Sequence, residues 1–221
     1  MEKYDLYLQI EKKFALAGFH LYLTGGTVRD YLLARPSCDL DMASDARPEE
    51  VKKLFPEADT SFARFGTVRW KMDGETIEVT TLRKESEYLD FRHPHQVQFV
   101  QSPSEDCRRR DFTINGLYLD ASGKVYDEVG GLLDLSLHRI KTIGDADVRL
   151  SEDPLRILRA IRFAITLDFQ IEETLQHAIV RQKGKLQFLR KEKVQEEIRK
   201  IKKIDEKKWE KWKALYGLEE L

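Results

Sequence analysis

The spacing of apolar and polar positions changes character along the chain. Residues 3–17 carry apolar side chains at Tyr4, Leu8, Phe14 and Leu16, a helical spacing that stops at Gly18. Residues 19–23 read as a short strand running into Thr24-Gly25-Gly26-Thr27, and residues 28–34 as a helix closed by Pro36. A second short strand is predicted over 39–43. A helix follows over 48–55, opened by Pro48 with Glu49 and Glu50 in its first turn. Residues 67–72 and 76–82 alternate apolar and polar about Asp73-Gly74, which predicts a hairpin. The charged stretch 84–106, with its His and Pro residues, reads as loop. Residues 112–119 begin a helix or strand, and 126–137 read as a short strand and a Gly-Gly turn. From Glu152 onward the strand signals stop, and helices are predicted over 152–168, 172–182 and 191–203. The pattern divides the chain into a mixed α/β unit over 1–145 and an all-helical segment over 146–221.

Composition narrows the class. The chain has 221 residues, 41% hydrophobic and 35% charged, a balance that supports a packed core and excludes wholesale disorder. Lys+Arg number 38 against 39 Asp+Glu, so bulk charge neither favours nor opposes a polyanionic partner. The basic residues cluster, at 108–110, 156–162 and 181–213. Two cysteines, Cys38 and Cys107, are too few for a disulfide framework or a thiolate zinc site, and both are read as free thiols. No apolar run reaches the length of a membrane span, and the first residues carry no signal-peptide core, so a cytoplasmic protein is expected.

Asp39 and Asp41 stand two apart on a predicted strand, which puts both carboxylates on one face and Leu40 on the other. Paired acids on one face call for a cation, and Mg²⁺ takes one or two carboxylates together with substrate phosphates. Glu78, flanked by Ile77 and Val79, stands ready as a third acid. A solvated pair at a strand edge is the plain alternative, because the motif alone is short and common. Gly25 and Gly26 sharpen the reading. A glycine pair between strand and helix lets backbone N–H groups approach a phosphate, with Arg29 one turn on.

The arginines form two groups. Arg109 and Arg110, in the run 108–110, cannot both be buried without anionic partners. In the second group Ser151 reads as an N-cap and Pro154 as a first-turn residue. Leu155, Leu158, Ile161, Phe163 and Ala164 face the core, while Asp153, Arg156, Arg159 and Arg162 recur every third position. This is either a salt-bridged amphipathic helix or a nucleotide reader. In the second case Asp153 offers acceptors and Arg156 a planar donor fork to a base edge, and Arg159 and Arg162 meet phosphates.

These segments resemble the class II tRNA nucleotidyltransferase/poly(A) polymerase family. The matching stretches are LTGGTVRD (23–30), CDLDMAS (38–44), IEVTTLR (77–83), EDCRRRDFTING (105–116), VYDEVGGLLDL (125–135) and EDPLRILRAIRFA (152–164), in the family's order and spacing. The resemblance implies an α+β fold: a polymerase-β-like nucleotidyltransferase head with a small mixed sheet, followed by an all-helical neck. It implies that Asp39 and Asp41 bind metal and that Glu78 is the acid on the third catalytic strand. Gly25, Gly26, Arg29 and Arg110 would contact the nucleotide. Asp153 and Arg156 would select the base, with Arg159 and Arg162 as further contacts. Asp127 and Gly131 would fall in a motif linking head and neck motions, and residues 88–95 in a loop tied to the switch from C to A addition.

The implied activity is template-independent addition of CCA to tRNA 3′ ends from CTP and ATP by two-metal phosphoryl transfer, with Mg²⁺ or Mn²⁺ and release of pyrophosphate. Alternatives are A-adding, CC-adding or poly(A)-synthesising relatives and a non-catalytic RNA- or nucleotide-binding module. Gly116 replaces the family's usual Ala, and the poly(A) polymerase arginine signature is not evident around 65–68. Members commonly carry a helical body and tail beyond the segment matched by FLRKEKVQEEIRKI (188–201). Either the body is missing or the Lys/Trp-rich end, 202–221, is a remnant of it; a homo-oligomer or a separate RNA-holding chain could supply the rest. Trp209 and Trp212, among lysines, either stack on RNA or pack onto the neck or a second subunit. His93 and His95 lack the further ligands a metal site needs. Cys107 beside Arg108 reads as an incidental thiol.

Overall fold

The computed structural model describes residues 2–36, 40–88 and 94–220. Cys38, Asp39 and most of the predicted 88–95 loop lie outside the described residues. In chain order the elements are α1 (Glu2–Leu16), β1 (Leu21–Thr24), α2 (Gly25–Leu32), β2 (Asp41–Ser44), α3 (Pro48–Leu54), β3 (Thr67–Met72), β4 (Glu75–Thr81), β5 (Arg83–Tyr88), β6 (Pro94–Phe99), α4 (Pro103–Asp106), β7 (Tyr118–Leu119), β8 (Val125–Tyr126), α5 (Gly131–Ser136), β9 (Arg139–Ile140), α6 (Ala146–Glu152), α7 (Leu155–Leu167), β10 (Gln170–Ile171), α8 (Glu173–Gln182) and α9 (Lys191–Tyr216). The chain divides into two compact units. The first comprises 1–85, 96–110 and 114–132; the second comprises 86–95, 111–113 and 133–221.

The first unit is built on a six-stranded mixed sheet of order β3-β4-β2-β1-β7-β8. β2 and β4 run parallel, and the other neighbours are antiparallel. The predicted hairpin is present, with Asp73 and Gly74 at positive φ in its turn. Its alternation is strict: Val68, Trp70, Ile77 and Val79 are buried, while Arg69 and Glu78 face the other way. The opening helix forms as expected; of the predicted set Phe14 is buried and Tyr4 and Leu8 are half-buried, and the buried face is completed by Leu6, Tyr7 and Ile10. Leu16 is exposed, because the stripe that packs is the one meeting the sheet core. The stretch expected as loop holds β5, β6 and α4. Polar, charged strands carry little of the period-2 hydrophobic signal on which sequence reading rests.

From residue 133 onward the second unit is mainly helical, with the two-residue parallel pair β9–β10. Its core lines α7, where Leu155, Leu158, Ile161, Phe163 and Ala164 are buried as expected, together with Ile157 and Ala160. Ser151 does not cap this helix; it lies inside α6. The break falls at Asp153-Pro154, where the Leu155 N–H donates to Asp153 Oδ1 at 3.0 Å. The Gly-Gly turn near 130 opens α5, whose first amides are capped by Asp127: Gly131 and Leu132 donate to its carboxylate at 2.8 and 2.9 Å.

The last helix runs further than its predicted end at 203. Asp205 leaves helical geometry and restarts the turn, accepting from the Lys208 N–H at 2.9 Å. Trp209 then packs inside the unit at 1% exposure, which settles the tryptophan question for that residue in favour of packing. Among the described residues no helix is long and apolar enough to cross a membrane.

Candidate active site

The register of the sheet assembles the acids. Asp41 on β2 is directly paired with Glu78 on β4, and Glu78 with Arg69 on β3. Directly paired residues share a face, so Asp41, Glu78 and Arg69 form one row across adjacent strands. The next register pairs Met42 with Val79 and Val79 with Val68, all buried on the opposite face. The Asp41 backbone is fixed by its N–H donating to Thr27 Oγ1 at 2.9 Å. Glu78 Oε2 accepts from Arg69 Nε at 2.5 Å.

Asp41 and Glu78 open into a cleft of about 260 Å³ whose rim includes Thr24, Thr80, Arg83, Arg109 and Arg110. Gly25 closes over it. Its φ is +62°, and a β carbon there would stand 3.4 Å from Asp41 Oδ2 and 3.6 Å from an Arg110 terminal nitrogen. A β carbon would meet both at ordinary contact distance; what calls for glycine is the positive φ, which L side chains rarely adopt. Carboxylates and hydroxyls are hard oxygen donors, a set that suits Mg²⁺ or Mn²⁺. Among the described residues no three His, Cys, Asp or Glu side chains gather as a metal cluster; Asp39, the expected second ligand, is outside them.

Arg29 is held from two sides. Its Nε and Nη2 donate to Asp30 at 2.9 and 3.0 Å, and Nη1 donates to Asn115 Oδ1 at 2.8 Å. The side chain is 8% exposed and lies under Gly26, where a β carbon would be 3.4 Å from Nη2. It ties the glycine turn to the segment preceding β7.

Arg109 and Arg110, each with its side chain 14% exposed, both pair with Asp106, a residue to which the sequence assigned no role; Glu85 approaches Arg109 as well, at 3.4 Å. Asp106 is fully buried. Its Oδ1 accepts from the Arg83 N–H and from Arg109 Nε, both at 2.8 Å. Its Oδ2 accepts from Arg110 Nε at 3.2 Å and from the Tyr118 hydroxyl. Burial alone would raise the Asp106 pKa, but Arg109, Arg110 and the Tyr118 hydroxyl outweigh it and hold the carboxyl well below its usual range. Arg110 also donates to the Tyr118 hydroxyl at 2.8 Å and sits 4.9 Å from that ring's centroid. Burial works against its charge, yet Tyr118 and Asp106 raise its pKa. A sequence signal for Asp106 exists: it stands three and four positions before the two arginines.

In the second unit the arginines of α7 each have an acid. Arg156, 5% exposed, donates to the Arg149 carbonyl at 2.7 Å and to Glu152 at 3.1 Å. Arg159 donates to Asp111 Oδ2 from Nε at 2.8 Å and Nη2 at 2.5 Å, and Asp111 raises its pKa against the opposing effect of burial. Arg162 pairs with Glu197 of α9, itself 3% exposed. Cys107 is buried, and burial pushes its thiol pKa up, outweighing Arg108; this is the profile of an inert thiol.

Residues 21–141 match the family profile of the Poly A polymerase head domain, more than half of the chain. The chain belongs to this family. The CCA-adding enzyme of Streptococcus pyogenes is 47% identical over 167 residues, covering 76% of this chain and 42% of that protein. The CCA-adding enzyme of Listeria innocua is 44% identical over 188 residues, covering 85% and 48%. Among solved structures, the Bacillus stearothermophilus CCA-adding enzyme in complex with CTP superposes with a TM-score of 0.84 at 34% identity, over 91% of this chain and 49% of that one. The Thermotoga maritima CCA-adding enzyme complexed with tRNA gives a TM-score of 0.74 at 25% identity, over 96% and 50%. The fold is thus the α+β head with its small mixed sheet and the helical neck of this family. The chain spans less than half the length of these two curated relatives.

Proposed function

We propose that the chain carries the chemistry of CCA addition: transfer of CMP and AMP from CTP and ATP to the 3′ end of tRNA. The observation that carries this reading is the in-register pair Asp41–Glu78, in a cleft rimmed by Arg109 and Arg110 and closed by Gly25. The likeness to CCA-adding enzymes in both sequence and fold supports it.

Asp41, with Asp39, would hold the divalent ions, and Glu78 adds negative charge to the same row. Two Mg²⁺ ions, when bound, supply Lewis-acid neutralisation of charge at the RNA 3′-oxygen and on the triphosphate. The 3′-oxygen attacks the α-phosphate in line, and pyrophosphate departs. Arg109 and Arg110 meet the departing charge, and Asp106 spares them reorganisation by fixing both beforehand. The backbone at Gly25-Gly26 offers N–H groups to phosphate oxygens. Asp153 and Arg156 read the base edge, and Arg159 and Arg162 meet phosphates. Nucleotide binding therefore competes with Glu152, Asp111 and Glu197 for these arginines.

The test is incubation of the chain with Mg²⁺, CTP, ATP and tRNA ending before CCA, after CC, or after CCA. The expected products gain C, C and A and then stop. Asp41→Ala is expected to lose at least about a hundredfold in incorporation rate. Only A, only CC, or a run of A would keep the chemistry and move the substrate. No incorporation by the wild-type chain would overturn the reading.

A further inference from the structure

Arg69 stands outside the motifs that marked the site, yet it terminates the acid row. Like charges directly opposite one another on neighbouring strands repel, and the Asp41–Glu78 pair is such a case. Arg69, opposite Glu78 on its other side, supplies the compensating charge at 2.5 Å. Its position is fixed independently of Glu78. The guanidinium lies 4.9 Å from the Phe62 ring centroid. Its backbone exchanges both hydrogen bonds with Asp59, at 2.6 and 3.1 Å. An arginine so anchored holds one oxygen of Glu78 before any ligand arrives.

We propose that Arg69 is a positioning residue that sets how the carboxylate row shares a divalent cation: it engages Glu78 as an outer acid and leaves direct ligation to Asp41. The proposal rests on the reading of the cleft as a metal-holding site. A planar guanidinium and a divalent cation compete for the same carboxylate oxygens, so releasing Glu78 from Arg69 adds a hard donor to the metal's side. Both side chains are half-exposed, and the core residues of the hairpin face the other way, so substitution leaves the fold's packing intact.

The experiment titrates Mn²⁺ alone into the full chain and follows free Mn²⁺ by electron paramagnetic resonance, for wild type, Arg69→Gln, Glu78→Gln and the double variant. Thermal unfolding confirms that each is folded. Arg69→Gln is expected to bind Mn²⁺ up to about fivefold tighter, the reach of a half-exposed ion pair. Glu78→Gln and the double variant are expected to agree within about twofold, because the effect of Arg69 passes through Glu78. Unchanged or weaker binding by Arg69→Gln overturns the proposal. The same gain in the Glu78→Gln background also overturns it, since removal of a positive charge from the general field would then be the whole effect. Absence of saturable Mn²⁺ binding by wild type overturns it together with the metal reading. Saturable binding without extension of tRNA leaves the proposal standing while the proposed function fails.

Discussion

The two units hold their arginines in opposite ways. In the first, a single buried carboxylate, Asp106, serves Arg109, Arg110, the Tyr118 hydroxyl and the Arg83 backbone at once. In the second, the arginines of α7 are distributed, with Arg156 to Glu152, Arg159 to Asp111 and Arg162 to Glu197. A shared acid makes a rigid cluster in which no member moves alone. Distributed pairs let each arginine exchange its partner separately. The first arrangement suits the fixed charge that chemistry needs; the second suits a surface that must adapt to more than one base.

The strongest way to break this contrast is Asp106→Asn. Removing the charge takes the shared counter-ion from two largely covered guanidinium groups, of which Arg109 keeps Glu85 at 3.4 Å, at an expected cost of about 3 kcal/mol in unfolding free energy. The pH dependence fixes the cause. Because the native pKa is depressed, the carboxylate's contribution is fully present above the unfolded value of about 4 and is lost as pH falls toward the lower native value. The gap between wild type and Asp106→Asn in urea titrations is therefore expected to be constant from neutral pH to about pH 5 and to shrink below about pH 4. A gap that persists undiminished into acid would trace the loss to packing rather than charge.

The same contrast explains what was legible in the sequence. The faces of Asp41 and Glu78 were readable because strand period 2 and an Asp-Gly hairpin fix them locally, but their pairing across the parallel neighbours β2 and β4 is as non-local as the contacts of α7. The arginines of α7 were readable as a ridge, but their acids were not. Asp111 lies 48 positions from Arg159 and Glu197 lies 35 from Arg162, separations that no local pattern encodes. Asp106 was hidden differently. It stands three and four positions before its arginines, but acids flanking a basic run read as a solvated turn until the burial of Asp106 is known. β5 was missed because its polar, charged sequence carries no apolar alternation, and β6 because its alternation is confined to Val97 and Phe99, too short to stand out from the charged stretch around it.

A smaller effect sharpens the other half of the comparison. If Arg156 reads a base edge, Arg156→Ala blurs discrimination of CTP and ATP against UTP and GTP by about tenfold, the scale of losing one good polar contact. Single-turnover incorporation with each nucleotide measures it. An equal fall for all four nucleotides would assign Arg156 to the start of α7, through its bond to the Arg149 carbonyl, instead of to selection.

The smallest expected effect is at Glu197. Glu197→Gln keeps the shape and an acceptor for Arg162 but removes the charge from a site only 3% exposed. Lys200 also approaches Glu197, at 3.4 Å, so two cations lose their partner together. Against this, Arg162 keeps part of its surface in water, and Lys200 pairs with Glu196 at 3.0 Å. Solvation and the second acid absorb most of the loss, leaving about 1 kcal/mol of destabilisation. If the pairs of α7 are independent, this cost adds to that of Arg159→Lys within about 0.5 kcal/mol in a double-mutant cycle. Marked non-additivity would show that α7 is wired as tightly as the cluster around Asp106, and the distinction between a fixed catalytic charge and an adaptable reading surface would fall.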